Sequence, residues 1–258
     1  MKYVERIAQI DQGERKVAIK SILEETGVAY SVQKVPVGSH EVENIVVSLN
    51  PSDSRLVIGA HWDSVKDSTG ANDNASGCSV LLHLIERLKE TKHSIDFVFF
   101  DREEYADHGS TGYIQVIGAD KISAMINLDI VGTGKRIVVS DKGNVDNVAF
   151  LGTMDKENLN DHSVTTVLYL PNGDDDRFAD ANIPNISVCT IEDSDLEFFK
   201  YLGEKLAANE TPNKEDEDRF MNLDIVSTMH LGEKDNIFCI NQNSIDMVTD
   251  WLVDGLSV

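Results

Sequence analysis

Leu56-Val57-Ile58-Gly59-Ala60-His61-Trp62-Asp63 is a short apolar run that breaks off on an imidazole and a carboxylate. A run this short, followed by polar residues, predicts a buried strand rather than a helix. The pattern returns twice. Ile95 to Phe100 leads into Asp101-Arg102-Glu103-Glu104, and Ala124 to Leu128 leads into Asp129. A helical stretch from Cys78 to Lys89 separates the first two runs. Strand, helix, strand in this rhythm predicts an α/β fold, a mostly parallel mixed sheet covered by helices on both faces. Ligands of such sheets sit beyond the carboxyl ends of the strands, and that is where these groups gather.

Outward from this centre, Val17, Ile19, Ile22 and Leu23 fall near one helical face, with Gly27 as a stop. Val35 to Val37 and Asn44 to Leu49 read as strands, and Asn50-Pro51-Ser52-Asp53 as the turn after them. Later strands are expected at Ile137 to Val139, Val164 to Tyr169 and Ile186 to Val188, with an amphipathic helix from Asn243 to Leu256. The acidic stretch 192–218 predicts a helix around Leu196 to Leu206 followed by a mobile linker. It reads as an insertion, a lid or an oligomer contact, against the plainer option of a solvated loop. Neither an internal repeat nor a second core is evident, so residues 1–258 read as a single domain.

The chain has 258 residues, 41% of them hydrophobic and 26% charged, which suits a globular enzyme with one sizeable core. Its formal net charge of −22 argues against nucleic acid or an anionic membrane as a partner, since both would be repelled. Cys78, Cys189 and Cys239 are scattered and form no C-x-x-C pair, so neither a disulfide framework nor a thiolate zinc site is indicated. With neither a leader-like apolar run at the start nor a bilayer-length segment, the expectation is a cytoplasmic protein. Homo-oligomer formation stays open.

One or two imidazoles and several carboxylates brought together would repel one another and raise their own pKa values. A divalent cation, or two, removes the conflict. Mixed His and Asp/Glu ligands suit zinc, or cobalt or manganese in its place. The glycine-bounded loop Gly70-Ala-Asn-Asp73-Asn-Ala-Ser-Gly77 adds one more carboxylate between the first two strand ends.

His61-x-Asp63, the Asp73 loop, Glu103-Glu104, Asn127-Leu128-Asp129 and a late His230, in that order, resemble the co-catalytic zinc aminopeptidases of metallopeptidase family twenty-eight, which also holds single-zinc glutaminyl cyclases. The likeness runs from about Ile58 to Ile237. It implies that Asp73 bridges two Zn2+ ions, that His61 and Asp129 complete one site, and that Glu104 and His230 complete the other. It further implies that Glu103 is the general base and that Asp63 steadies the ring of His61. The stretch Glu104 to Ser110 is similar to the family segment that starts the next helix. The implied activity is removal of the first residue from peptides with a free N-terminus. The chain departs from the family pattern at Gly173 to Phe178, where Asp175 stands in place of a histidine, and at Met229, where relatives often carry tyrosine. The alternatives are a single-zinc cyclase of the glutaminyl type and a metal-binding scaffold without catalysis.

Overall fold

The computed structural model describes residues 1–105, 108–140, 142, 162 and 164–256. Among them, β1 (Ser31–Val37), β2 (His40–Leu49), β3 (Arg55–His61), β4 (Ile95–Phe100), β5 (Ile122–Leu128), β6 (Arg136–Ser140), β7 (Val164–Val167) and β8 (Asn185–Ile191) form one sheet. Its order is β1-β2-β4-β3-β5-β8-β6-β7. The central strands β4, β3, β5 and β8 run parallel to one another, as do β6 and β7. β1, β2 and the β6–β8 pairing are antiparallel, which makes the sheet mixed.

The helices are α1 (Lys2–Ile7), α2 (Gln12–Glu25), α3 (Gly77–Arg87), α4 (Gly109–Ile117), α5 (Asp175–Asp180), α6 (Asp193–Ala207), α7 (Lys214–Phe220) and α8 (Gln242–Leu256). They cover both faces because strand residues alternate between faces. Ile58, Phe97, Phe99 and Ile126 join α3 and α8 in one core with Val80, Leu84, Trp251 and Leu252. Their neighbours Val57, Val98, Phe100 and Met125 join Tyr113 of α4 and Phe178 of α5 in another. β4 is buried at every position, Asp96 included, which is why all its other residues are apolar. Each buried Phe or Leu contributes roughly 1.5–3 kcal/mol through area removed from water. No helix among the described residues is long and apolar enough to cross a membrane.

Three local expectations change. Val17 is 63% exposed while Ile19, Ile22 and Leu23 are buried, because two positions along a helix turn a residue toward the opposite side. Arg15, four residues before Ile19, takes the inward place instead. The strand expected to Tyr169 ends at Val167. The segment after Leu206 is not a plain linker: α7 forms there, started by a capping box in which Asn213 and Asp216 satisfy each other's backbone amides.

Candidate metal centre

His61 closes β3, and Trp62 just beyond it donates its amide to the Phe100 carbonyl at 2.8 Å, holding the ends of β3 and β4 level. Asp129 follows β5 and donates its amide to Val188 of β8 at 3.0 Å. Asp73 lies in the irregular turn Ala71–Ser76, between two asparagines that tie it down. Asn74 donates to the Leu128 carbonyl at 2.8 Å, and Asn72 accepts from Gly132 at 2.8 Å and donates to Thr228 at 2.9 Å. Gly77 ends this turn because nothing larger fits: a Cβ there would lie 2.4 Å from Asn74 Oδ1 and 2.7 Å from the Leu128 carbonyl.

These constraints produce two half-sites that share one carboxylate. Oδ1 of Asp73 is 3.2 Å from His61 Nε2, which is 3.4 Å from Asp129 Oδ1. Oδ2 of Asp73 is 3.7 Å from His230 Nε2, which is 3.4 Å from Glu104 Oε2. Ligand atoms of His61, Asp73 and Glu104 all fall within 4.8 Å of one another. All five sequence-derived candidates for metal binding therefore meet. His230 is the outermost, with a side chain 55% exposed against 5% or less for His61, Asp73 and Glu104. Its backbone is left-handed (φ 51°), an arrangement costing a non-glycine residue roughly 1–2 kcal/mol, and its amide is pinned to Asp73 Oδ2 at 2.9 Å.

The donor set fits a divalent cation. His61 Nε2, Glu104 Oε1 and Asp129 Oδ1 are buried yet make no hydrogen bond among the described residues, although potential partners stand close by. Buried polar atoms almost always find partners, so atoms aimed at a common point without bonding one another mark a place for an ion. Charge points the same way. Burial, reinforced by neighbouring carboxylates such as Asp129 and Asp174, pushes Glu103 up to about 10. Burial and the Asp73 charge push Glu104 up to about 8. Burial disfavours a charged His61, but the carboxylates of Asp129, Asp63 and Asp73 outweigh it and raise the imidazole well above its ordinary value. Without a cation, protons have to neutralise this cluster.

Asp63 has a broader task than its motif suggests. Its carboxylate accepts the amides of Glu103 at 3.1 Å and Glu104 at 3.2 Å, fixing the turn that carries both. The His61 ring meets it less directly: Nδ1 is 3.2 Å from the Asp63 backbone carbonyl and 3.5 Å from its carboxylate. Gly109 and Ser110 open α4 as the family segment implies; Ala106 and Asp107 of that segment lie outside the described residues.

Beside the half-sites is a cavity of about 130 Å³ lined by Glu103 and Asp129 and by apolar groups, among them Ile130, Leu170, Phe199, Phe220, Ile225 and Met229. Phe199 belongs to α6, within the acidic stretch 192–218, and Phe220 to α7 at its far edge, so this part of the chain supplies a wall of the cavity. Arg177 does not line it; that side chain pairs with Asp180 at 3.3 Å. Asp175, at the position where the family resemblance led to an expected histidine, is buried 3.0 Å from Lys142 Nζ, and burial still pushes it up to about 6.

Two supporting residues had little signal in the sequence. Asp235 accepts the amides of Asn72 and Asp73 and the hydroxyl of Ser68, and so braces the Asp73 turn against the His230 loop. In the sequence it is marked only by the resemblance of His230 to Asp235 to the family's His-x-x-x-x-Asp segment. Asp174 is fully buried, and burial pushes it up to about 7 even though the nearby Ser110 hydroxyl favours its charged form.

Comparison with known proteins identifies the family and the fold. Endoplasmic reticulum metallopeptidase 1 of Homo sapiens is 36% identical over 110 residues, which are 40% of this chain but 12% of that protein. The chain thus matches only a small part of such relatives. A glutaminyl cyclase from Porphyromonas gingivalis superimposes with a TM-score of 0.71 at 20% identity, over 99% of this chain and 95% of that one. BSAP, a zinc aminopeptidase from Bacillus subtilis, gives 0.58 at 21% identity, over 83% and 49%. The model of Peptidase family M28 matches residues 44–250, and the chain belongs to that family.

Proposed function

We propose that this metallopeptidase is an aminopeptidase that removes the first residue from peptides with a free N-terminus, working with two zinc ions. One would be held by His61 and Asp129, the other by Glu104 and His230, with Asp73 serving both. The observation that carries this reading is the pair of half-sites on opposite oxygens of Asp73. When bound, the two ions supply a water of lowered pKa and polarise the scissile carbonyl.

The chain's own residues then divide the work. Glu103 takes a proton from the attacking water and passes it to the departing amine. The amides that Asp63 accepts hold Glu103 and Glu104 in a fixed relation, so base and ligand cannot drift apart. The free amine of the substrate docks against the carboxylates at the cavity mouth. Its side chain enters the 130 Å³ apolar cavity, which suits a medium-sized apolar residue such as leucine better than tryptophan.

The end-to-end superposition on a cyclase fold supports a second reading. There the substrate's own amine attacks its side-chain amide carbonyl, ammonia leaves, and N-terminal glutamine closes into a ring. Metal analysis combined with a panel of aminoacyl amides, N-blocked controls and glutaminyl peptides decides between the two. Two zinc ions per chain and cleavage of unblocked substrates alone are expected. Cleavage of blocked substrates in preference to free ones would overturn the aminopeptidase reading.

A further inference from the structure

Arg15 stands in α2, ahead of residues 44–250 that define the family. It is fully buried, yet among the described residues its guanidinium ends on no carboxylate. It donates instead to backbone carbonyls on two loops: Nε to Trp62 at 2.7 Å, and its terminal nitrogens to Thr69 at 2.5 Å, Gly70 at 3.3 Å and Asp63 at 3.5 Å. One loop follows directly on His61 and carries Asp63; the other leads into Asp73. Gln12, one turn earlier, grips the first loop as well, donating to the Ser64 carbonyl at 3.0 Å and accepting its amide at 3.3 Å. Gly70 is the contact point: its backbone is left-handed (φ 54°), and a Cβ there would lie 2.9 Å from the Arg15 guanidinium.

We propose that Arg15 is a positioning residue that sets the spacing between the loops bearing His61 and Asp73, and so governs how tightly zinc is held. A planar fork reaching several carbonyls fixes two segments at once, which a lysine with one nitrogen does not. Burial works against its charge and lowers its pKa, and the nearby negative charges of Asp63, Asp235 and Asp73 offset part of that cost. The inference rests on the metallopeptidase reading above.

The test compares wild type with Arg15→Lys and Gln12→Ala, and with Ile22→Val as a control that loosens the buried face of α2 without touching either loop. Zinc affinity is measured by chelator competition, ligand geometry by the visible spectrum of the cobalt-loaded protein, and stability by thermal unfolding of the metal-free form. Arg15→Lys should weaken zinc at least tenfold and shift the cobalt bands, Gln12→Ala should do so by a few fold, and Ile22→Val should lower only the unfolding temperature. Should Arg15→Lys not fold, Gln12→Ala carries the decision. Wild-type zinc affinity and an unshifted spectrum in the variants would overturn the inference alone. A wild-type protein that takes up no zinc would overturn the underlying reading and this inference with it.

Discussion

The backbone amide of His230 donates to Oδ2 of Asp73 at 2.9 Å, joining residues 157 positions apart in the chain. The other oxygen of Asp73 is left facing His61. Asp73→Asn keeps an oxygen that can accept the His230 amide but removes the shared negative charge. The variant should fold, and zinc affinity should fall by more than the ~10–100-fold typical of residues that only support a ligand. Metal content after dialysis checks this, and two retained zinc ions per chain would contradict the shared role of Asp73.

Glu103 differs from its neighbour Glu104 in facing the cavity without belonging to either half-site. Glu103→Gln is isosteric and should leave metal content unchanged. Turnover should fall by ~10²–10⁴, the usual contribution of a positioned general base. Activity within a few fold of wild type would remove Glu103 from the mechanism.

The metal-free protein should lose stability as pH rises. Glu103 and Glu104 have ordinary values near 4.5, and burial lifts them to about 10 and about 8 in the folded state. Between these limits the folded chain binds more protons than the unfolded chain, so raising pH favours unfolding. His61, raised above its ordinary 6.5, adds to the same trend on the alkaline side. The unfolding temperature of the metal-free form should therefore drop from pH 5 to pH 9. Saturating zinc, which replaces those protons, should flatten the profile. A rising metal-free profile would show that the carboxylates are not buried together.

Phe220 sits on α7 and forms part of the cavity wall. Phe220→Ala enlarges the cavity without touching either half-site. Relative kcat/KM should shift toward bulkier N-terminal residues, with the phenylalanyl-to-leucyl ratio rising ~10-fold, the scale on which apolar pockets discriminate. An unchanged ratio would mean that the substrate side chain lies elsewhere.

The centre of the fold and the candidate metal ligands His61 and Asp129 could be read from the sequence for one reason. β3 and β5 are parallel neighbours, so the polar residue at the end of each apolar run is delivered to the same edge. His61 and Asp129 meet there because strand ends align, a relation that local sequence carries. Asp73 and His230 are brought in by loops; the glycine-bounded loop flagged Asp73, and only the family resemblance located His230. Arg15 was invisible, since a charged residue on a helix reads as solvated until its carbonyl partners are known. The helix α7 was missed because its acidic composition resembles a linker; its stability comes from the Asn213 capping box and from the pairing of Asp216 with Lys205 at 2.6 Å.

The groups proposed to hold the ions come from 61–129 plus His230, whereas part of the cavity wall comes from α6, α7 and the turn after them. On the proposed reading, hydrolytic machinery and part of substrate choice are written in different stretches of one chain. Exchanging the second stretch could retune which peptides are trimmed while the reaction itself is inherited intact, a division of labour that lets one scaffold diversify its diet.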